Sequence, residues 1–132
     1  MSNELFLKYN VPKIFSLLSI DVDGIDFYIW EAIKNHEPKV VIIEFNCFVP
    51  DGKVINYSPT HFYNKHKPLY HGASFSALKK LGESKGYELV CNVCGLNLIF
   101  VKKELVEASD FEIKCPPLPQ SDILEQGEWV DV

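Results

Sequence analysis

The sequence contains no arginine: all 13 of its basic residues are lysine. It therefore has no planar guanidinium fork to clamp a phosphate or carboxylate through two parallel hydrogen bonds. Basic charge is also in short supply. Thirteen lysines against 18 acids leave a net charge of -5, the wrong sign for a nucleic-acid binder, which needs a basic footprint. No apolar run approaches the roughly 18 residues of a membrane span. Lys8 and Pro12 interrupt what would be the apolar segment of an export signal. No G-x-G-x-x-G and no P-loop occurs, and Gly82 and Gly86 lie in and after a predicted helix rather than after a strand. Phosphate-cradling or dinucleotide-binding chemistry is thus unsupported within the chain. What is present is a 132-residue sequence, 47% hydrophobic, enough to bury a core in about one domain.

Charge is unevenly placed. Residues 105–132 carry seven acids against Lys114 alone, whereas residues 1–104 carry 11 acids and 12 lysines. The acidic end also holds Pro116, Pro117 and Pro119. The chain therefore divides into a near-neutral body, 1–104, and an extended acidic arm, 105–132. Leu118, Ile123, Leu124, Trp129 and Val130 are too apolar for a wholly solvated tail, so part of the arm is expected to dock on a surface.

The body alternates strand and helix patterns. Residues 3–10 read as a short helix with Pro12 beyond its end. Ile14–Ile20 is an apolar run broken only by serines, suited to a strand buried on both faces of a parallel sheet. Apolar residues at 25, 28, 29, 32 and 33 have helical spacing, and Val40-Val41-Ile42-Ile43 is a β-branched strand. Residues 47–71 form a long connection rich in Pro, Tyr, His and Asn, a length that tends to be functional. Phe75, Leu78 and Leu81 mark a helix over 73–85, with Gly86 as its C-terminal stop. Tyr87–Val93 and Leu96–Val101 read as hairpin partners around Gly95. This order predicts an α/β fold with a parallel sheet and one closing antiparallel strand.

In open α/β sheets, ligands bind beyond the carboxyl ends of the strands. Two predicted strand ends carry polar groups: Asp21 and Asp23 after the first, Glu44 and Asn46 after the second. Converging carboxylates there can hold a hard cation, orient a hydroxyl or act as a general base. Asp23 can equally serve only to cap the helix that starts near Gly24. Asp21-Val22-Asp23-Gly24 also resembles the first motif of the haloacid-dehalogenase phosphatases, with Ile25 where that family has threonine and without its later acidic pair. Cys91-Asn92-Val93-Cys94 has zinc or redox spacing, but it lies in a strand-like run without a second pair, which favours buried structural thiols. His36 stands where it can bond the last carbonyls of a helix. His61, His66 and His71 share the long connection with Tyr57, Tyr63 and Tyr70, either as a lid or base or as a loop packed by its own rings.

Taken in order, the segments resemble the FkbM-type S-adenosylmethionine-dependent methyltransferases. Leu17-Leu18-Ser19-Ile20-Asp21-Val22-Asp23-Gly24-Ile25-Asp26 is similar to their fourth-strand region, and Val40-Val41-Ile42-Ile43-Glu44-Phe45-Asn46 to their fifth strand. Gly72-Ala73-Ser74 and Lys85-Gly86-Tyr87-Glu88-Leu89-Val90 resemble the last helix and sixth strand, and Gly95–Val101 the turn into the reversed seventh. The resemblance implies half of a Rossmann-like class I methyltransferase sheet, with strands near 14–21, 39–46, 87–93 and 96–102 in the order 4-5-7-6 and the seventh antiparallel. It further implies Asp21, Asp23, Glu44 and Asn46 on the acceptor side, with Asp21, Asp23 and Glu44 as candidate ligands of a divalent metal. The intact family methylates a small-molecule or glycan acceptor. The parts that would hold S-adenosylmethionine precede the fourth strand and have no counterpart here, so the chain alone is expected to bind that cofactor poorly. A non-catalytic remnant or association module is the rival. An apolar strand 14–21 left at a sheet edge predicts a homo-oligomer or cover by one of the arms.

Overall fold

The computed structural model describes residues 2–56, 71–110, 112–113 and 129–132. In chain order the elements are α1 (Ser2–Lys8), β1 (Ile14–Ile20), α2 (Asp26–Ala32), β2 (Glu37–Glu44), β3 (Lys53–Ile55), α3 (Phe75–Ser84), β4 (Tyr87–Val93), β5 (Asn97–Lys102), α4 (Lys103–Glu107) and β6 (Trp129–Asp131). Four strands form an open mixed sheet in the order β1-β2-β5-β4. β1 and β2 run parallel, while β5 is antiparallel to both β2 and β4. The expected order and directions of the four strands therefore hold. No described helix is long and apolar enough to cross a membrane.

The connection from β1 to β2 and the one from β2 to β4 advance in the same direction across the sheet. Right-handed crossovers that advance the same way place their helices on the same face. Phe100 of β5 shows the result: its ring meets Trp30 of α2 at 4.8 Å between centroids and lies against Gly82 of α3. Val41, Ile43, Leu98 and Phe100 are fully buried on this side. The buried residues of α2 are Asp26, Phe27 and Trp30; of the expected positions, Ile33 is buried just past the helix end, Tyr28 and Ile29 pack partly on the core, and Ala32 is exposed. The large indole at 30 takes the central position, within 5.7 Å of the Tyr87 ring as well.

The other sheet face is the main departure from expectation. β1 is not buried on both faces: Ile14 is 59% exposed and Leu17 51%. The rows Leu17–Val40–Val101 and Ser19–Ile42–Ile99 run across the strands. Their members are half-buried or exposed and do not join the core cluster. Both crossover helices lie on the opposite side, so this apolar surface has neither of them as cover.

The connection after β2 is more ordered at its start than the sequence pattern suggests. Lys53–Ile55 pairs with Trp129–Asp131 of the acidic arm, and Lys53 forms an ion pair with Asp131 at 3.0 Å. Val132 packs on the core and its backbone carbonyl accepts from Lys80 Nζ. The expected docking of the arm thus holds at Trp129 and Val130, whereas Leu118, Ile123 and Leu124 lie outside the described residues. The boundary expected at 104/105 falls inside the short helix α4. α3 starts at Phe75 because Ser74 caps it, accepting from the Ala77 amide at 3.2 Å. It stops at Gly86, whose φ of +82° only glycine adopts freely.

Gly82 offers a test of the packing. A Cβ there would stand 2.6 Å from the Phe100 ring and 3.0 Å from Trp30. In an exposed helix, alanine would gain about 1 kcal/mol over glycine. Here overpacking reverses the sign, and Gly82→Ala is expected to destabilise the fold by about 1–3 kcal/mol in urea denaturation.

Candidate functional site

The parallel register of β1 and β2 sets Ile20 beside Ile43, so one step further Asp21 comes beside Glu44. Among the described residues, Asp21, Asp23 and Glu44 form the one group of three potential metal ligands, with ligand oxygens all within 4.8 Å of one another. Asp21 and Asp23 are exposed and Glu44 is half-buried. The two strand ends thus bring together three of the four residues the sequence singles out.

The turn that carries the aspartates is built around a residue that the spacing did not single out. Asp26 is 2% exposed, and its carboxylate accepts from the Val22 and Gly24 amides, each at 3.0 Å. Asp23 does not cap α2: the residue at the N-cap is Ile25, with no side-chain cap. Asp23 instead takes a left-handed φ of +54°, a conformation aspartate tolerates better than most residues. Asp26 therefore secures the turn from inside while Asp21 and Asp23 face outward. The only sequence signal for it was an acid in the first turn of a helix, just after Asp21 and the Asp23-Gly24 pair.

Asn46 plays a structural part. It is buried, its Nδ2 donates to the His71 carbonyl at 2.9 Å and its Oδ1 accepts from the Phe48 amide at 3.0 Å. It ties the end of β2 to the returning chain, and the Gly72 amide in turn donates to the Gly24 carbonyl at 3.0 Å. The acid turn, the end of β2 and residues 71–73 are thereby one unit.

Glu44 is the perturbed group. Burial first, then a side-chain hydrogen bond with Asp21 and the charges of Asp21, Asp26 and Asp23, push its carboxyl up from 4.5 to about 7. A carboxyl poised there can hold or accept a proton near neutral pH.

Other candidates from the sequence are not drawn into this group. His36 does not bond the carbonyls of α2. Its ring packs 4.7 Å from Phe6, and its Nε2 lies 3.3 Å from the Val11 carbonyl. Lys85 serves those carbonyls instead, reaching Ile33 at 2.7 Å and Glu31 at 3.3 Å. Lys85 belongs to a cleft of about 260 Å³ at the opposite end of the sheet, where Lys102 already pairs with Glu37. Cys91 is half-buried, and Cys94 is not buried as expected. It sits exposed in the hairpin turn, where Cys94 and Gly95 both have positive φ and the Leu96 amide bonds the Val93 carbonyl. Paired positive φ values suit the twist of a hairpin. His61, His66, Tyr57, Tyr63, Tyr70 and Cys115 lie outside the described residues.

No protein-family model matches this sequence, and neither a curated protein nor a solved structure gives a significant match.

Two outcomes follow from the geometry. Glu44 has a folded pKa above its unfolded value, so its contribution to stability is fully present below about 4.5 and is lost as pH rises through about 7. Denaturation at a series of pH values should show that decline in the parent chain and a flatter profile in Glu44→Gln. Asp26→Ala should cost about 2–3 kcal/mol by leaving two amides without their acceptor, measurable as a lowered urea midpoint at pH 7.

Proposed function

We propose that the chain forms the acceptor side of an S-adenosylmethionine-dependent methyltransferase of the FkbM type, acting on a hydroxyl of a small molecule or glycan in a reducing compartment such as the cytoplasm. The observation that carries this reading is the convergence of Asp21 and Glu44 at the carboxyl ends of two neighbouring parallel strands. They do so in a sheet whose order and reversed strand suit the 4-5-7-6 half of that fold. Bound S-adenosylmethionine would supply the electrophilic methyl group. The described residues contribute the other partner's chemistry. Asp21 and Asp23 orient the acceptor hydroxyl, and Glu44, with a pKa near 7, takes its proton as the oxygen forms its new bond. Asn46 supports this indirectly, by fixing the end of β2.

The donor set also suits a hard divalent cation, since three carboxylates within one ion's reach are all oxygen ligands. Asp21, Asp23 and Glu44 would hold it, and its charge would offset the burial and the like charges that raise the Glu44 pKa. The reading further includes self-association through the 14–21 edge, because an uncharged edge strand is a template for another chain.

Calorimetry and thermal unfolding test these points together. The chain alone is expected to give no heat with micromolar S-adenosylmethionine, whereas Mg²⁺ or Mn²⁺ should raise the melting temperature of the parent chain and not of Asp21→Asn. Micromolar cofactor binding would overturn the division of labour. Mg²⁺-dependent phosphatase activity lost in Asp21→Asn would favour the dehalogenase-type reading, and indifference to both ligands would favour an association module.

A further inference from the structure

The geometry points to a two-fold dimer in which the β1 edges of two copies pair antiparallel about Leu17, setting Lys13 of each copy beside Asp21 of the other. This rests on the self-association stated above and adds to it a register and a contact with the acid site.

The phase of β1 comes from its one paired side. The Glu37 amide donates to the Lys13 carbonyl at 2.7 Å, so Lys13 aims its main-chain groups at β2. In a parallel ladder this alternates. Residues 13, 15, 17 and 19 therefore face β2, and the amides and carbonyls of Ile14, Ser16, Leu18 and Ile20 face the free edge. No described strand pairs there. The seven residues Ile14–Ile20 include no charge and no proline, the devices by which natural edges avoid a partner. Among the described residues, six of the ten exposed large apolar side chains fall between Leu5 and Val22, within or next to β1 and the helix before it.

Symmetry then restricts the register. Residues directly opposite in an antiparallel pair share a sheet face. Only an axis through a residue, not between two, joins core face to core face, since a one-residue slip flips every side chain. An axis at Leu17 pairs all seven residues: Ile14 with Ile20, Phe15 with Ser19, Ser16 with Leu18, and Leu17 with itself. The outward-facing groups of 14, 16, 18 and 20 all find partners. An axis at Ser16 leaves Ile20 beyond the partner strand and sets Lys13 against Ser19. An axis at Leu18 sets Asp21 against Phe15. Only the Leu17 axis combines the full ladder with charge complementarity, because Lys13 then falls opposite Asp21 at both ends. Lys13 is exposed and has no ion pair among the described residues, and Asp21 stands in a cluster of three acids. Each copy thus contributes a cation to the acid site of the other, and the two open sheet faces join on one side.

The decisive variant is Leu17→Cys, at a half-exposed position that spares the core. Leu17 would sit in the non-hydrogen-bonded pair on the axis, where Cα atoms lie about 4.5 Å apart, inside the range a disulfide spans. Mild oxidation should give a covalent dimer whose linked peptide maps to 17–17. Sedimentation of Lys13→Glu and of Asp21→Lys should show dimer dissociation constants raised about tenfold, with the double charge swap returning within about threefold of the parent chain. A parent chain that is monomeric at every concentration overturns self-association and register together. A dimer that neither cross-links at position 17 nor responds to the charge swap overturns the register and leaves self-association standing.

Discussion

The architecture depends on one constraint of handedness. Two crossovers that advance the same way across a sheet, both right-handed, place both helices on one face. α2 and α3 accordingly meet over Phe100, and the core forms between them and the Val41, Ile43, Leu98 and Phe100 side of the sheet. Gly82 is small because α3 must approach that ring closely. The β-branched run of β2 then has an outer half, Val40 and Ile42, that these helices do not reach. Parallel sheets are almost always covered on both faces, so the open face is a demand the described fold leaves unmet.

The acid site is a product of the same arrangement. Glu44 follows Val40 and Ile42 in the strand alternation and so belongs to the open side, which leaves it only half-buried beside Asp21. Full burial would force the pair to neutralise, and full exposure would screen it by solvent. Partial cover holds the Glu44 carboxyl near 7. The buried acid, Asp26, avoids this conflict by directing both oxygens at backbone amides. One turn therefore contains two kinds of aspartate, a buried one bonded to the backbone and an exposed pair beside Glu44, and it turns outward through the left-handed φ of Asp23.

Much of the sheet was legible because its signals are local. Val40–Ile43 announces a strand, Phe75, Leu78 and Leu81 a helix face, and Gly86 a stop. The convergence of Asp21 and Glu44 was legible for a related reason, since strand ends in a parallel pair adjoin once the strands are neighbours. What could not be read depends on distant partners. β3 and β6 are three residues each: β6 pairs with β3 across more than 70 positions, and β3 is held on its other side by residues 72–74. The backbone partners of Asn46, one of them at position 71, could not be read from the sequence. The face of α2 was legible only in part: Tyr28, Ile29 and Ile33 do meet the core, but apolar periodicity weighs every residue alike and did not single out Phe27 and Trp30 as its most buried members. Cys94 was hidden by its type, occupying a turn position that asparagine or glycine usually fills.

The exposed edge and the acid cluster are consequences of one strand. β1 is outermost in the described sheet, so its carboxyl end has a neighbour on one side only. Across the strands Asp21 stands beside Glu44, whose carboxyl is raised by burial and then by the neighbouring acids. A positive charge beside these acids from beyond the β1 edge would be a bound cation or a lysine on a strand that completes the sheet. Covering the edge and quieting the acid site are thus linked: a partner that adds a strand to β1 necessarily brings its own backbone and side chains to the position beside Asp21.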